Sequence, residues 1–370
     1  MLSMRTLAPR ARFVSRLAVA TVVAGSALWA SACSDSTTPI APGFLGGTAT
    51  NHEIGLIVNS TGKAVTLFQL GSPTTREEIP FGSSSDITPV GFSIRGRYAV
   101  VPLGNTASVA YVGLETATVQ RHFLFSGGNA TGSVFVNDTT ALVTNTNTNL
   151  LGKFTVGQAS DSIRDTVTVA KSPTAIVMAG NRAFVISGNL VNYAPVGNSI
   201  VTAVDPVTMH VIDTVSTGGT NAQDAALGPD GLLYVVNTAD YVAQGSLTII
   251  NPNTMTVVTT VPNMGVGAGA ITIDANGLAY VSSYYGGTVV WNTQTRQFVR
   301  DAAHPVCAPL TLGCRGAASA AVSANGTLYQ TFAGDGINPP AVFVYAAGTF
   351  ALTDSLPAGV GPAAIAIRRF

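Results

Sequence analysis

The sequence predicts an all-β fold, a seven-bladed β-propeller of four-stranded antiparallel blades. Three observations predict it. Runs rich in Val, Ile, Tyr and Thr recur from end to end at a nearly constant spacing. The recurring unit contains only short strands and tight turns. One strand absent from the first unit reappears at the far end of the chain.

Residues 220–265 hold the clearest unit. A run of small residues, AQDAALG, leads into a PDG turn and then into LLYVVNT, which is β-branched and aromatic. After a polar loop come SLTIIN and the turn NPNT, where Pro252 supplies the fixed φ that a type I turn wants. MTVVTTV closes the unit. Four such strands make a small twisted sheet that cannot bury both faces alone, so it must stack on copies of itself.

The second strand sets the register. Its copies begin at Gly55, Tyr98, Ala141, Ala183, Leu233, Ala279 and Leu328, at spacings of 43, 43, 42, 50, 46 and 49 residues. First strands precede six of them, as ITPVGFSI, TGSVFVN, PTAIVMA, AQDAALG, AGAITID and AASAAVS. The first copy has none. Its first strand is PAAIAI, Pro362 to Ile367, which completes the N-terminal blade and closes the ring. Closure also removes an exposed strand edge.

First strands rich in Ala, Gly and Ser suit the innermost position, where blades converge and large side chains do not fit. One equivalent inner position reads Val90, Ser133, Ala175, Asp224, Ala270, Ser319 and Ala364. Six of these are small or apolar, and Asp224 is the exception.

The units resemble the YVTN-type propeller repeat of bacterial exported and surface-layer proteins over roughly residues 52–370. The resemblance rests on LYVVNT with Asn237, ALVTNT with Asn145, the turns DPVT, NPNT and NTQT, and PDG and ANG ahead of the second strand. Blades 2, 4, 6 and 7 depart from it: VVPL, FVISG, YVSSY and YQTF lack its Asn. The resemblance implies the fold. It does not imply one function, since the family spans binders, scaffolds and some enzymes.

Apolar residues make up 46% of the 370, ample for a core, and the unbroken repeat argues for one folded domain over residues 52–370. Charged residues are only 10%, far below the usual share, and polarity comes from Thr, Ser, Asn and Gly. Arg5, Arg10, Arg12 and Arg16 precede residue 33, where there are no acids; the remainder carries 14 basic and 18 acidic residues, a net charge of −4. No basic stripe survives to capture nucleic acid.

Those four arginines form the n-region of a signal peptide over residues 1–32, followed by the apolar run LAVATVVAGSALWA. The run is too short to span a membrane. ASAC, Ala30 to Cys33, reads in two ways. One is a site resembling the bacterial lipobox, with Ala30 where Leu is usual and Cys33 lipidated after cleavage. The other is ordinary Ala-x-Ala cleavage. Residues 33–51 read as the lipidated Cys33 followed by a tether, 34–51, rich in Ser, Thr, Pro and Gly. A flexible coil of that length spans about 23 Å and would hold the domain near a membrane through its lipid alone.

Cys307 and Cys314 lie seven positions apart in CAPLTLGC, and an exported chain would oxidise them to a disulfide. Cys33 is then left over. Lipidation accounts for it; a free thiol or an intermolecular pair is the alternative.

Propellers place ligands at the mouth of the central channel. The loops leaving the second strands are long in blades 4, 5 and 7, and blade 6 offers SSYYGG. They gather Tyr193, Tyr241, Tyr284 and Tyr285 with Asn189, Asn237, Asp240 and Asp335. Aromatic faces beside amides and carboxylates suit carbohydrate or peptide binding; the alternative is that the tyrosines pack their own loops. Asp224 would either hold a ligand in the channel or tie two blades together, with Arg315 as a candidate partner.

The histidines His52, His122, His210 and His304 share no ligand spacing, and neither a calcium loop nor a G-x-S-x-G elbow is present. No cofactor or metal is expected. These observations favour a monomeric, membrane-tethered binding or scaffold module for a glycan, a peptide or an envelope protein. The alternative is a propeller enzyme, lactonase- or dehydrogenase-like, with its site in the channel.

Overall fold

The computed structural model describes residues 44–45, 53–309 and 314–370. The expected signal peptide, Cys33, most of the tether and His52 lie outside the described residues. Among these residues the chain forms seven four-stranded antiparallel sheets and one two-stranded ribbon.

Each blade runs from an inner strand to an outer one. In blade 5 the order is Ala222–Leu227, Leu233–Asn237, Ser246–Asn251 and Thr256–Val261. The second and third strands are buried almost throughout, while the outermost is largely exposed. The apolar clusters explain why. Tyr234, Val236, Leu247 and Ile249 of blade 5 share one cluster with Ala279, Val281, Val289 and Trp291 of blade 6. Val235 and Ile250, facing the other way, join Phe184, Ile186 and Val201 of blade 4. Alternation along a strand thus feeds two interfaces, and each sheet is held by both neighbours.

The ring closes as expected. Pro362–Arg369 pairs antiparallel with Glu53–Asn59, from Glu53 opposite Arg369 to Asn59 opposite Pro362. The turns follow their sequences too. In DPVT the Asp205 carboxylate accepts the amide of Val207 at 2.8 Å, and in NPNT Asn251 accepts that of Asn253 at 2.9 Å. Met209 and Met255, which end these turns, have φ of 55° and 51°, and the ladder slips one residue just beyond.

Three details differ from expectation. The first strand of blade 2, expected over ITPVGFSI, is regular only over Ser93–Arg95. Pro89 lacks a ladder donor and Gly91 adds no side chain to pack, although Thr88 still donates to Leu103. In blade 3 a bulge between Ala130 and Ser133 pairs Ser133 with Val143, two residues before Asn145. Asp224 pairs with Val236, one before Asn237, so Ser133 is shifted from the matching position. Finally, Phe44 and Leu45, inside the expected tether, belong to the core. Leu45 is buried with Ile54, Leu56, Val101 and Val112 between blades 1 and 2, and Phe44 packs against them.

Candidate ligand-binding site at the channel mouth

The innermost strands enclose a cavity of about 380 Å³ lined by small and hydroxylated residues, among them Thr131, Thr174, Thr272 and Ser319. Asp224 is its one acidic lining residue. Its carboxylate accepts the amide of Ala225 at 2.8 Å and, across the blade boundary, that of Ile271 at 3.0 Å. Asp224 lines the channel and is partly enclosed by protein. Burial pushes its pKa up to about 6, against the opposing pull of the Ile271 and Ala225 amides. Asp224 therefore links blade 5 to blade 6. Arg315 is not its partner: it lies over Phe332 and Phe343 of blade 7 and donates to Asn338.

At one mouth a cleft of about 400 Å³ opens between Tyr241 and Tyr284, with Gln223, Thr238 and Ser282 on its walls. Gln223 also lines the channel, so the two spaces meet there. A neighbouring cleft of about 360 Å³ is bordered by Tyr284, Tyr285, Arg315, Phe332 and Asp335. Tyr284 borders both clefts.

The tyrosines are held up by their backbone. The second strand of blade 6 ends at Ser283, whose hydroxyl donates to the carbonyl of Val266. The amide of Tyr284 donates to the carbonyl of Gly267 at 2.9 Å. The two rings meet edge to face, 5.3 Å apart and at 82°. They rest over Gly267, where an added Cβ would lie 3.0 Å from the Tyr285 ring. Tyr284 and Tyr285 remain 52% and 61% exposed, so these loops leave aromatic area in water instead of packing it away. Tyr241, 49% exposed, follows Asp240, whose carboxylate accepts the amides of Ala243 at 2.7 Å and Val242 at 3.0 Å. Those bonds hold the Asp240 carboxyl below its ordinary pKa and occupy it with its own loop.

Two expected site residues fall elsewhere. Tyr193, 93% exposed, tips the two-stranded ribbon Leu190–Val191 and Ala194–Pro195 and borders none of the three spaces. Asn192 and Tyr193 both have positive φ, 50° and 64°, as a two-residue hairpin turn demands. Asn237 is not a rim residue. It is buried, accepts from the Thr217 hydroxyl at 2.8 Å, and donates to Ser246 at 3.2 Å and Thr248 at 3.0 Å. Asn145 is likewise buried and bonds Gly127, Asn129 and Thr148 of its own loops. The repeat's Asn is a fastener inside the blade.

Gln223 was hidden beside Asp224, and only strand alternation could have pointed it at the opening. The arginines at the far ends of the innermost strands were missed as well. Arg95, Arg97, Arg368 and Arg369 border one space of about 480 Å³ there. Arg95 pairs with Asp138 and Arg97 with Glu115 at 2.8 Å. The expected disulfide is present, Cys307 to Cys314, with Cα atoms 5.6 Å apart. Among the described residues no three His, Cys, Asp or Glu gather as a metal site, and no helix is long and apolar enough to cross a membrane.

No family model matches the chain, and no curated protein matches it. Among solved structures it is similar to Kuenenia stuttgartiensis hydrazine synthase, with a TM-score of 0.59 and 13% identity over 77% of this chain and 91% of that one. The likeness is one of fold alone.

Proposed function

We propose that the chain is a YVTN-type propeller of the bacterial envelope, tethered through Cys33, that binds a glycan at its Tyr241–Tyr284 mouth. One observation carries the reading: large aromatic faces stand exposed around a concave, mostly uncharged opening. Sugar rings present C–H faces that lie on aromatic rings and hydroxyls that reach amides such as Gln223. The disulfide supports export, since such bonds persist in oxidising compartments. The enzyme reading rests on Asp224 alone: it is the one acidic residue lining the channel, and each of its oxygens accepts a backbone amide.

The test is a glycan array followed by calorimetry on Tyr284→Ala and Tyr241→Ala. Binding lost in these folded variants supports the reading; an array at background refutes it. Mass spectrometry of the mature N-terminus tests the anchor, and an unmodified Cys33 removes it.

A further inference from the structure

The clefts at the tyrosine mouth hold one cation. Among the described residues lining the channel and the two clefts, Arg315 alone is basic. Its guanidinium sits 5.3 Å from the ring centroid of Phe332 and 5.8 Å from that of Phe343. It donates to Asn338 Oδ1 at 2.9 Å, and Asn338 Nδ2 donates to Asp335 Oδ2 at 2.9 Å. Asp335 Oδ1 takes the amides of Asn338 at 2.6 Å and Ile337 at 3.0 Å. Those bonds, with the charge of Arg315, hold the Asp335 carboxyl below its ordinary pKa. Asp335 thus orients Asn338, and Asn338 orients the arginine. No carboxylate among the described residues forms an ion pair with Arg315. Asn338 takes one of the five N–H donors, and Arg315 borders the cleft.

The backbone under Arg315 is fixed as well. Its amide donates to the carbonyl of Ala308 at 3.0 Å, and Cys314 beside it is locked to Cys307. A Cβ at Gly316 would strike the carbonyl oxygen of Tyr284, and one at Gly287 would lie 2.8 Å from Cys307 Cβ. Gly316 thus lies against the backbone of Tyr284, and Gly287 lies against the disulfide.

We propose that Arg315 anchors a carboxylate of the ligand, so that the mouth takes an acidic glycan, a chain of uronic acid sugars. This rests on the glycan reading above. A pyranose ring on Tyr284 or Tyr285 shares its cleft with the guanidinium, whose planar fork matches a carboxylate. The apolar walls, Phe332, Ala318 and Ala333, suit a single delocalised charge better than a heavily hydrated dianion.

The test is calorimetry with trigalacturonate and with the same oligomer after its carboxylates are reduced to alcohols. Wild type binds the acid at least about tenfold more tightly than the reduced form. Arg315→Met binds both alike, at the affinity of the reduced form, and Tyr284→Ala weakens both. Should Arg315→Met fail to fold, Asn338→Ala frees the guanidinium without removing its charge, and the preference for the acid shrinks severalfold. Equal binding of the two oligomers by wild type overturns the carboxylate anchor and leaves glycan binding standing. Binding of neither overturns both.

Discussion

Asn237 in blade 5 and Ser283 in blade 6 occupy the same place. Each ends its second strand, and each pairs with the residue that opens the first strand, Ala222 or Ala268. In blade 5 the long amide reaches inward and fastens three side chains. In blade 6 the short hydroxyl makes one bond to Val266, and the chain runs straight into Tyr284 and Tyr285. Glycines complete the pattern. An added Cβ would collide with Asn59 from Gly359, with Asn145 from Gly128 and with Asn237 from Gly219. Where the repeat keeps its Asn, the incoming loop presses flat on it through a glycine. In blade 6, where Ser283 stands in place of the Asn, the outgoing loop carries Tyr284 and Tyr285 straight to the mouth. The motif's Asn fastens the blade from inside, and the loop beyond this position lines the mouth.

That contrast can be broken. Asn237→Ala removes three hydrogen bonds inside the blade, although Thr217 and Thr248 keep partners of their own, so it costs about 3 kcal/mol in chemical denaturation. A cost below about 1 kcal/mol would mean the Asn fastens nothing. Asp224 sharpens the contrast from the channel side. Its pKa of about 6 lies above the ordinary 3.8, so its contribution to stability is full below about pH 4 and is lost as pH rises through 6. Asp224→Asn, which does not titrate, flattens that part of the stability–pH curve, by at most about 3 kcal/mol between pH 4 and 8. An unchanged curve would show that the group titrates normally.

Cys307→Ser comes next. Opening this small loop costs about 2 kcal/mol on the chain-entropy model, and glycan affinity falls with it because Arg315 and Tyr284 lose their common support. Melting and calorimetry on oxidised and reduced protein read both effects. The smallest change in stability belongs to Tyr284→Ala, within about 0.5 kcal/mol, since half the side chain is already in water. A large loss there would make the tyrosine a packing residue and erase the distinction between the two blades.

The fold was legible because a propeller repeats one local pattern seven times, and errors in one copy are corrected by the others. Blade count, register, turns and the closing strand could be read from spacing alone. Errors came where a copy is unique. Pro89 shortens a strand that reads as regular, and the bulge in blade 3 moves Ser133 by one place. The site was legible in part. Tyr241, Tyr284, Tyr285 and Arg315 stand out by residue type and do reach the mouth clefts. Asn237 stands out for its place in the motif, and that place is what buries it. Which way a polar residue points depends on strand alternation plus the bulge before it, and a bulge leaves no signature of its own in residue type.

The seam between Glu53–Asn59 and Pro362–Arg369 joins segments about three hundred positions apart, whereas the other six blades complete themselves within one repeat. During synthesis residues 53–80 therefore wait as three strands with a bare flank until 362–369 emerge. A tail that meets another copy's flank first builds the same ladder between two molecules. Refolding at high concentration accordingly yields interlocked chains, and dilution before renaturation is the remedy.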